Sequence, residues 1–193
     1  MMNKLNLSKD LQKYCVSFLS ENENKYIGNR WKEFPKYNIC NIAAENGWLD
    51  LLKWARQNGY EWNSWTCASA ALNGHLEVLK WARENACPWD IYTCNYAALN
   101  GHLEVLKWAR ENGCEWNSTT CCTAAENGHL EVLKWAREHD CPWDSYTCTC
   151  AAKNGHLDIL KWVRQNGCDW DSNTCAYVAL RGHLEVLKWA RAL

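Results

Sequence analysis

The chain of 193 residues could form one or two domains of ordinary size, and its 48% hydrophobic content against 22% charged residues excludes a disordered chain. Its 21 basic residues balance 22 acidic ones to a net charge of -1, so it lacks the basic excess of a dedicated nucleic-acid binder. Fourteen tryptophans and thirteen cysteines occur beside only two phenylalanines. A generic core does not select its aromatic residues in this way, so the bias indicates a short unit copied several times.

Residues 1–37 come before the repeated sequence and allow two interpretations. Leu11, Cys15, Phe18 and Leu19 recur at helical spacing, which predicts a helix that caps the first repeat. Alternatively, the segments Leu7-Ser8-Lys9-Asp10-Leu11, Ser17-Phe18-Leu19-Ser20 and Arg30-Trp31 resemble a degenerate F-box without its usual proline. That resemblance implies a substrate adaptor of a ubiquitin ligase, with residues 1–37 recruiting the ligase.

The chain shows no sequence signal for a membrane or for secretion. Its start lacks the apolar core of a signal peptide, and no apolar stretch approaches the ~20 residues that span a bilayer. We therefore expect a cytoplasmic protein that contacts neither a membrane nor nucleic acid. Because thirteen cysteines is an odd number and no secretory signal precedes them, we expect reduced thiols rather than a disulfide framework.

From residue 38 to residue 193 a unit of 27 residues occurs six times. The string GHLEVLKWAR is unchanged at residues 74–83, 101–110, 128–137 and 182–191, and near copies stand at 47–56 and 155–164. We number the positions of the unit 1 to 27 from the threonine of its motif T-C-x-x-A-A. Self-similarity at this period is typical of solenoids, propellers and arrays.

Each unit predicts two helices. The second, L-E-V-L-K-W-A-R-E-N, contains strong helix formers, and Glu104 and Lys107 place opposite charges three residues apart on one face. The first, C-x-x-A-A, carries small residues that permit close packing. Its N-cap is either the Asp or Asn at position 25 or the Thr at position 1, and the sequence does not separate them. The unit therefore reads helix, tight turn, helix and short loop, which predicts an all-α solenoid.

The motif A-A-x-N-G-H-L-E-V-L-K-W-A-R-E-N-G resembles the ankyrin repeat, whose matching stretch reads A-A-x-x-G-H-x-x-V-V-x-L-L-L-x-x-G. The period is 27 residues here and 33 in that family, and the missing residues fall where ankyrin repeats carry a β-hairpin finger. We therefore expect six ankyrin-like repeats over residues 38–193 with fingers reduced or absent. The resemblance implies a non-enzymatic protein–protein interaction scaffold. Compact repeats of the W-A-R-E-N-G-C-P-W type resemble those of large DNA viruses and of protists, which is a hint about source.

Three residue types with distinctive chemistry recur in the unit: tryptophan in two rows, at positions 16 and 24, cysteine at positions 2 and 22, and histidine at position 10. Both tryptophan rows match positions that are usually buried in the family, so inter-repeat packing is the favoured interpretation over an aromatic platform. The cysteines at positions 2 and 22 lack the convergent pairs of a zinc site, so we expect no metal and no cofactor. The histidine that opens each second helix predicts a polar contact at the helix start rather than catalysis. No catalytic constellation stands apart from the repeat, which predicts that the chain is not an enzyme.

The residues that change from copy to copy predict the partner-binding surface. A surface that recognises a specific partner requires different side chains in different repeats, whereas a shared buried core tolerates few changes. Positions 27 and 4 of the next unit are four residues apart and so share one face of the first helix. In ankyrin-like stacks the first helices line the concave side. The predicted partner-binding residues are Trp65, Ser69, Tyr92, Tyr96, Thr119, Thr123, Tyr146, Cys150, Asn173 and Tyr177.

The last repeat carries Leu184, Leu187, Trp189 and Leu193 with no following unit in this sequence. Uncovered apolar surface at a solenoid end favours association, so we expect self-association through this face unless a longer chain continues it.

Overall fold

The computed structural model describes residues 39–169 and 172–191, and these residues form twelve α-helices and no β-strand. The helices occur in six consecutive pairs, one pair for each repeat. The pairs are α1 (Ile39–Glu45) and α2 (Leu49–Gln57), α3 (Ser64–Leu72) and α4 (Leu76–Glu84), α5 (Ile91–Leu99) and α6 (Leu103–Glu111), α7 (Ser118–Glu126) and α8 (Leu130–Glu138), α9 (Ser145–Lys153) and α10 (Leu157–Gln165), and α11 (Ser172–Arg181) and α12 (Leu184–Arg191). The expected all-α solenoid without fingers is confirmed for this part of the chain. The predicted cap or degenerate F-box of residues 1–37 lies outside the described residues.

In the second to fifth repeats, the first helix begins after the Asp or Asn at position 25 of the preceding unit. In α3 the side-chain oxygen of Asn63 accepts a hydrogen bond from the backbone N–H of Trp65 at 3.0 Å. The same cap starts α5, α7 and α9 at Asp90, Asn117 and Asp144. A cap of this kind contributes about 1 kcal/mol to helix stability. The structure thus decides between the two N-cap candidates, since the threonine of position 1 lies inside the helix and is buried.

A glycine turn and a histidine join each repeat to the next. Gly101 adopts φ +74 between α5 and α6, a left-handed conformation that favours glycine. A Cβ there would lie 2.6 Å from Nδ1 of His129, which opens α8 of the next repeat. The His129 Nε2 atom lies 3.0 Å from the carbonyl oxygen of Leu99, to which it donates. The histidine therefore bonds to the preceding repeat, and not at the start of its own helix as the sequence predicted.

The core runs through the stack as one continuous cluster. The first helices approach one another through alanines such as Ala97 and Ala98, whereas the second helices contribute Val105, Leu106 and Ala109, all buried. Full burial of one such leucine contributes roughly 2 kcal/mol. Successive first helices pack closely, whereas successive second helices make few contacts with one another. The stack therefore curves with its first helices on the concave side.

Candidate functional site

The concave face presents large aromatic side chains at the positions that vary between repeats. Trp65 is 50% exposed, Tyr92 49%, Tyr146 59% and Tyr177 40%. Trp65 and Tyr92 follow their N-cap residues by two positions, so the cap fixes where each ring leaves its helix. Because large hydrophobic side chains on a folded protein are normally covered, their alignment along one face marks that face as the candidate interaction surface.

Two of these rings, Trp65 and Tyr92, form one cluster with the half-buried Tyr96 across α3 and α5. The Trp65 and Tyr92 centroids are 6.0 Å apart with their planes 11° from parallel, which is a stacked arrangement. Tyr96 lies 5.8 Å from Trp65 and 5.9 Å from Tyr92. We call Trp65, Tyr92 and Tyr96 the aromatic cluster. Contacts of this kind add about 0.5–1.5 kcal/mol per pair, so the rings hold one another in place before any partner arrives.

The other predicted partner-binding residues differ in accessibility. Thr119 is exposed, whereas Ser69 and Thr123 are half-buried. The Thr123 hydroxyl donates to the carbonyl oxygen of Thr120 at 3.1 Å, so it is already engaged within its own helix. The Asn173 side chain is outside the described part of the structure. Cys150 is buried, and its sulfur is bonded to another cysteine.

A disulfide joins Cys122 of α7 to Cys150 of α9, with their Cα atoms 5.6 Å apart. The expectation that all cysteines are reduced thiols is therefore wrong at this pair. The physical reason is the stacking of neighbouring first helices, which brings position 3 of one repeat against position 4 of the next. Glu126 is near enough that its carboxylate and the two sulfurs all lie within 4.8 Å of one another. Both sulfurs are already joined, so this group binds no metal while the disulfide is present.

The repeated cysteines at positions 2 and 22 pair inside the core. In the fifth repeat the Sγ atoms of Cys148 and Cys168 lie 2.9 Å apart. The hydrogen bond between these thiols, and then their burial, raises the pKa of Cys148. The equivalent contacts raise the pKa of Cys67, Cys94 and Cys121. The two cysteines of each pair are 20 residues apart in sequence. The cysteines that come closest in sequence, such as Cys87 and Cys94, are seven residues apart and do not pair, so the spacing did not predict the pairs. The same hydrogen bonds lower the pKa of the partner thiols Cys114 and Cys168. The packing role therefore rests on the burial of both members of each pair.

The two tryptophan rows meet on the side of the stack away from the aromatic cluster. Trp116 of a loop and Trp135 of α8 pack edge to face with centroids 5.8 Å apart. The guanidinium of Arg110 packs over the Trp116 ring, 4.2 Å from its centroid. The same arrangement recurs at three further pairs, Trp62–Trp81, Trp89–Trp108 and Trp143–Trp162. These rings pack against the core but remain half-buried, so packing is the better interpretation although their burial is less complete than the sequence suggested.

A ladder of threonine hydroxyls also links neighbouring first helices. Thr120 Oγ1 donates to Asn95 Oδ1 at 2.6 Å, which joins position 1 of one repeat to position 3 of the repeat before it. Where position 3 is Ala68 or Cys122, the facing hydroxyls of Thr93 and Thr147 are buried without a hydrogen-bond partner among the described residues. Position 3 varies between copies, but the sequence does not reveal this contact, because the hydroxyl and its acceptor are 25 residues apart.

An ion pair crosses between the same two repeats as the disulfide. Lys153 Nζ donates to Glu126 Oε1 at 2.5 Å, and this hydrogen bond raises the pKa of Lys153. Both residues occupy position 7 of their units. Opposite charges at the same position of consecutive units are the sequence pattern that could have predicted this ion pair. A small cavity opens beside Lys153 and is lined by Tyr146, Thr149, Cys150, Lys153 and Tyr177.

The exposed charges of the second helices neutralise one another locally. Lys107 Nζ and Glu104 Oε1 are 2.8 Å apart, and equivalent pairs occur in three other repeats. Exposed pairs of this kind contribute little to stability, but they neutralise the lysines of these four repeats locally. Among the helices of the described residues, none is long and apolar enough to cross a membrane.

Comparisons with known proteins agree with this geometry. A model of ankyrin repeats in three copies matches residues 94–174, and a model of ankyrin repeats in many copies matches residues 40–83 and 67–110. Together these matches cover most of the chain, which belongs to the ankyrin repeat family. Ankyrin repeats are generally protein–protein interaction modules, and the family typically provides non-enzymatic binding scaffolds.

One solved structure of similar fold is the crystal structure of the human ASB11 ankyrin repeat domain. It has a TM-score of 0.64 and 18% sequence identity over 77% of this chain and 80% of that one. At this identity the likeness shows the fold alone. No curated protein sequence matches the chain.

Proposed function

We propose that the chain is a non-enzymatic protein-recognition scaffold whose concave face, lined by the first helices, binds a partner protein. The observation that carries the proposal is the aromatic cluster. Its Trp65 and Tyr92 rings stack on each other with about half of each side chain exposed, and the tilted Tyr96 ring contacts both. Tyrosine and tryptophan are enriched among the residues that dominate binding energy at interfaces.

The cluster is not required to build the repeat. Position 27 holds Trp65 and Tyr92 in the first two units, but Thr119 in the third. The third unit adopts the same capped helix, and Asn117 accepts a hydrogen bond from Thr119 as Asp90 does from Tyr92. An aromatic ring at this position is therefore available for contact with another molecule.

The surface around the cluster suggests the chemistry of its partner. Positions 4 and 7 of the two helices that carry the cluster hold Ser69, Leu72 and Leu99, none of which is charged. The glutamates of position 7, Glu45 and Glu126, belong to the repeats on either side. An uncharged aromatic surface gains most by covering apolar groups, while the phenol hydroxyls of the two tyrosines can hydrogen-bond at its edge. The partner segment that docks there should therefore be largely uncharged.

The test compares the partners captured by wild type with those captured by a variant that carries Tyr92→Ala and Tyr96→Ala. Captured proteins are quantified by mass spectrometry and the affinity for the main partner is then measured. The loss should be about 2 kcal/mol, which is roughly a 30-fold weaker affinity, because both rings lie at the centre of the proposed contact. The thermal transition should fall somewhat, because the variant loses the three ring contacts of the cluster, so the affinity is measured at a temperature where both chains are folded.

The matched control carries Glu104→Ala and Lys107→Ala on the second helix of the same repeat. These side chains form an exposed pair away from the aromatic cluster. The control should capture the same partners as wild type. Equal capture by the tyrosine variant and wild type would show that the partner docks elsewhere, as would an equal loss in the control.

Self-association through the last repeat stays a prediction. Leu180 and Leu184 are exposed, whereas Val186 is buried. The exposed leucines are the apolar surface that a second copy would cover.

A further inference from the structure

Two cysteines depart from the repeat pattern and meet on the concave side. Ten of the thirteen cysteines occupy positions 2 and 22, and only Cys15, Cys122 and Cys150 do not. Cys122 is at position 3 of its unit and Cys150 at position 4 of the next, and the fold places their Cα atoms 5.6 Å apart. Two of the three exceptional cysteines are therefore bonded to each other.

Packing alone does not account for a cysteine at position 122. In the preceding pair of repeats the equivalent residues are Asn95 and Thr123, and Asn95 accepts the hydrogen bond of the next threonine. Cys122 offers no such acceptor, and the buried hydroxyl of Thr147 finds no partner in the described part of the chain. The polar pair fits the same place and satisfies more groups, so the cysteines offer something other than local packing.

The bond is almost covered, and a small cavity adjoins it on one side. Cys122 is 7% exposed and Cys150 1%. Cys150 is part of the wall of the cavity that Tyr146, Lys153 and Tyr177 line, so a local opening on this side brings a small thiol to the bond. The nine free cysteines of the described residues are buried in the core.

We propose that Cys122 and Cys150 form a reversible thiol–disulfide site that sets how firmly α7 and α9 hold together beneath Tyr146. In the reducing direction, the thiolate of a small thiol such as glutathione attacks the Cys150 sulfur and expels Cys122 as a thiolate, which takes up a proton. A second small thiol then attacks the mixed disulfide and releases Cys150. The two protein cysteines gain two electrons and two protons, and the small thiols become one small disulfide.

The reduced state keeps the Lys153–Glu126 ion pair between the two helices but loses their covalent link. An ion pair near the surface is far weaker than a disulfide that closes a loop. Reduction should therefore loosen α7 and α9 relative to each other while the other repeats, which lack this bond, keep their dynamics. The site goes beyond the proposed partner binding and can be tested on the chain alone.

The first experiment equilibrates the purified chain in mixtures of reduced and oxidised glutathione under native conditions. The mixtures are quenched with acid, free thiols are alkylated, and each cysteine is quantified by mass spectrometry. Cys122 and Cys150 should change together, with a midpoint inside the range of the mixtures, while Cys121 and Cys141 stay thiols throughout. A bond that persists in every mixture would show a permanent cross-link, and a bond that never forms would remove the site; either result overturns the proposal.

The second experiment measures hydrogen exchange in the oxidised and reduced chain. Amides of α7 and α9 should exchange at least about tenfold faster after reduction. The disulfide restricts the separation of these two helices, and reduction removes that restriction. The matched variant carries Cys122→Asn and Cys150→Thr, which copies the residues of the preceding repeat pair and gives Thr147 an acceptor. Its exchange should be the same in both conditions. Equal exchange of oxidised and reduced wild type overturns the proposal.

Cys150→Ser alone is a second variant that cannot form the bond, and it replaces the double variant if that chain does not fold. Neither experiment needs a partner protein. Failure here would leave the role of the aromatic cluster intact, and failure of the tyrosine test would leave this site intact.

Discussion

Replacing Gly101 by alanine tests the contact that joins the third repeat to the fourth. Gly101 has φ +74, and a Cβ added there would lie 2.6 Å from His129 Nδ1, where ordinary contacts are about 3.4–4 Å. Alanine in a left-handed conformation costs about 1–2 kcal/mol. The added methyl must also displace the imidazole, which loses its hydrogen bond to Leu99, worth about 1 kcal/mol, together with part of its packing. We expect the free energy of unfolding to fall by about 3 kcal/mol.

The matched control is Gly113→Ala. Gly113 also has a positive φ, of +84, but a Cβ there would meet nothing within 4 Å. The equivalent turn in the second repeat already holds Ala86 at φ +63, so this chain tolerates alanine in that place. The control should lose about 1 kcal/mol, because strain is partly offset by the smaller entropy of the unfolded chain. The difference of about 2 kcal/mol measures the encounter with His129.

Urea unfolding followed by circular dichroism measures both variants, and a nearest-neighbour analysis suits a chain of stacked repeats. A third variant, His129→Ala, completes a double-mutant cycle. In that background Gly101→Ala should cost only about 1 kcal/mol, since the ring that blocked the methyl is gone. Equal costs for Gly101→Ala and Gly113→Ala, or a Gly101→Ala cost that His129→Ala leaves unchanged, would refute the reasoning.

Two further stability predictions concern side chains that the stack brings together. Trp135→Ala should lower the free energy of unfolding by about 2 kcal/mol rather than the roughly 3–5 kcal/mol of a fully buried ring, because Trp135 is half-buried against Trp116. Urea titration measures the loss. A loss below about 0.5 kcal/mol would show that the packing of this ring does not stabilise the fold. Ala68→Asn should raise stability by about 1 kcal/mol, because it offers the buried hydroxyl of Thr93 the acceptor that it lacks among the described residues. The gain should vanish in a Thr93→Val background, and a gain that persists there would contradict the hydrogen-bond explanation.

The concave surface was only partly predictable. The variable positions correctly indicated that Trp65, Tyr92, Tyr146 and Tyr177 are exposed, because a residue that changes between copies is seldom part of the shared core. The same argument placed Cys150 on the surface, where the structure has it buried in a disulfide. Variation between copies marks where the common packing ends, but it does not separate a side chain that faces solvent from one that meets an equally variable neighbour.

The sequence by itself determined the repeating unit and its local structure. The constant period, the helix-forming string and the small residues of the first helix are local signals, and local backbone preferences are enough to read two helices and a tight turn from them. The N-cap required one further step. Asn63 and Thr66 were both suitable by residue type, and the extended backbone at Asn63 decided the choice.

Only the tertiary structure decided which side chains meet across repeats. His129 reaches Leu99 across 30 residues, and Cys122 reaches Cys150 across 28. Such contacts depend on how far each repeat is shifted and rotated relative to the one before it, and the period of a sequence does not contain that rotation. Because each repeat touches only its neighbours, this one geometric relation, applied along the stack, determines the histidine contacts, the threonine ladder and the disulfide together.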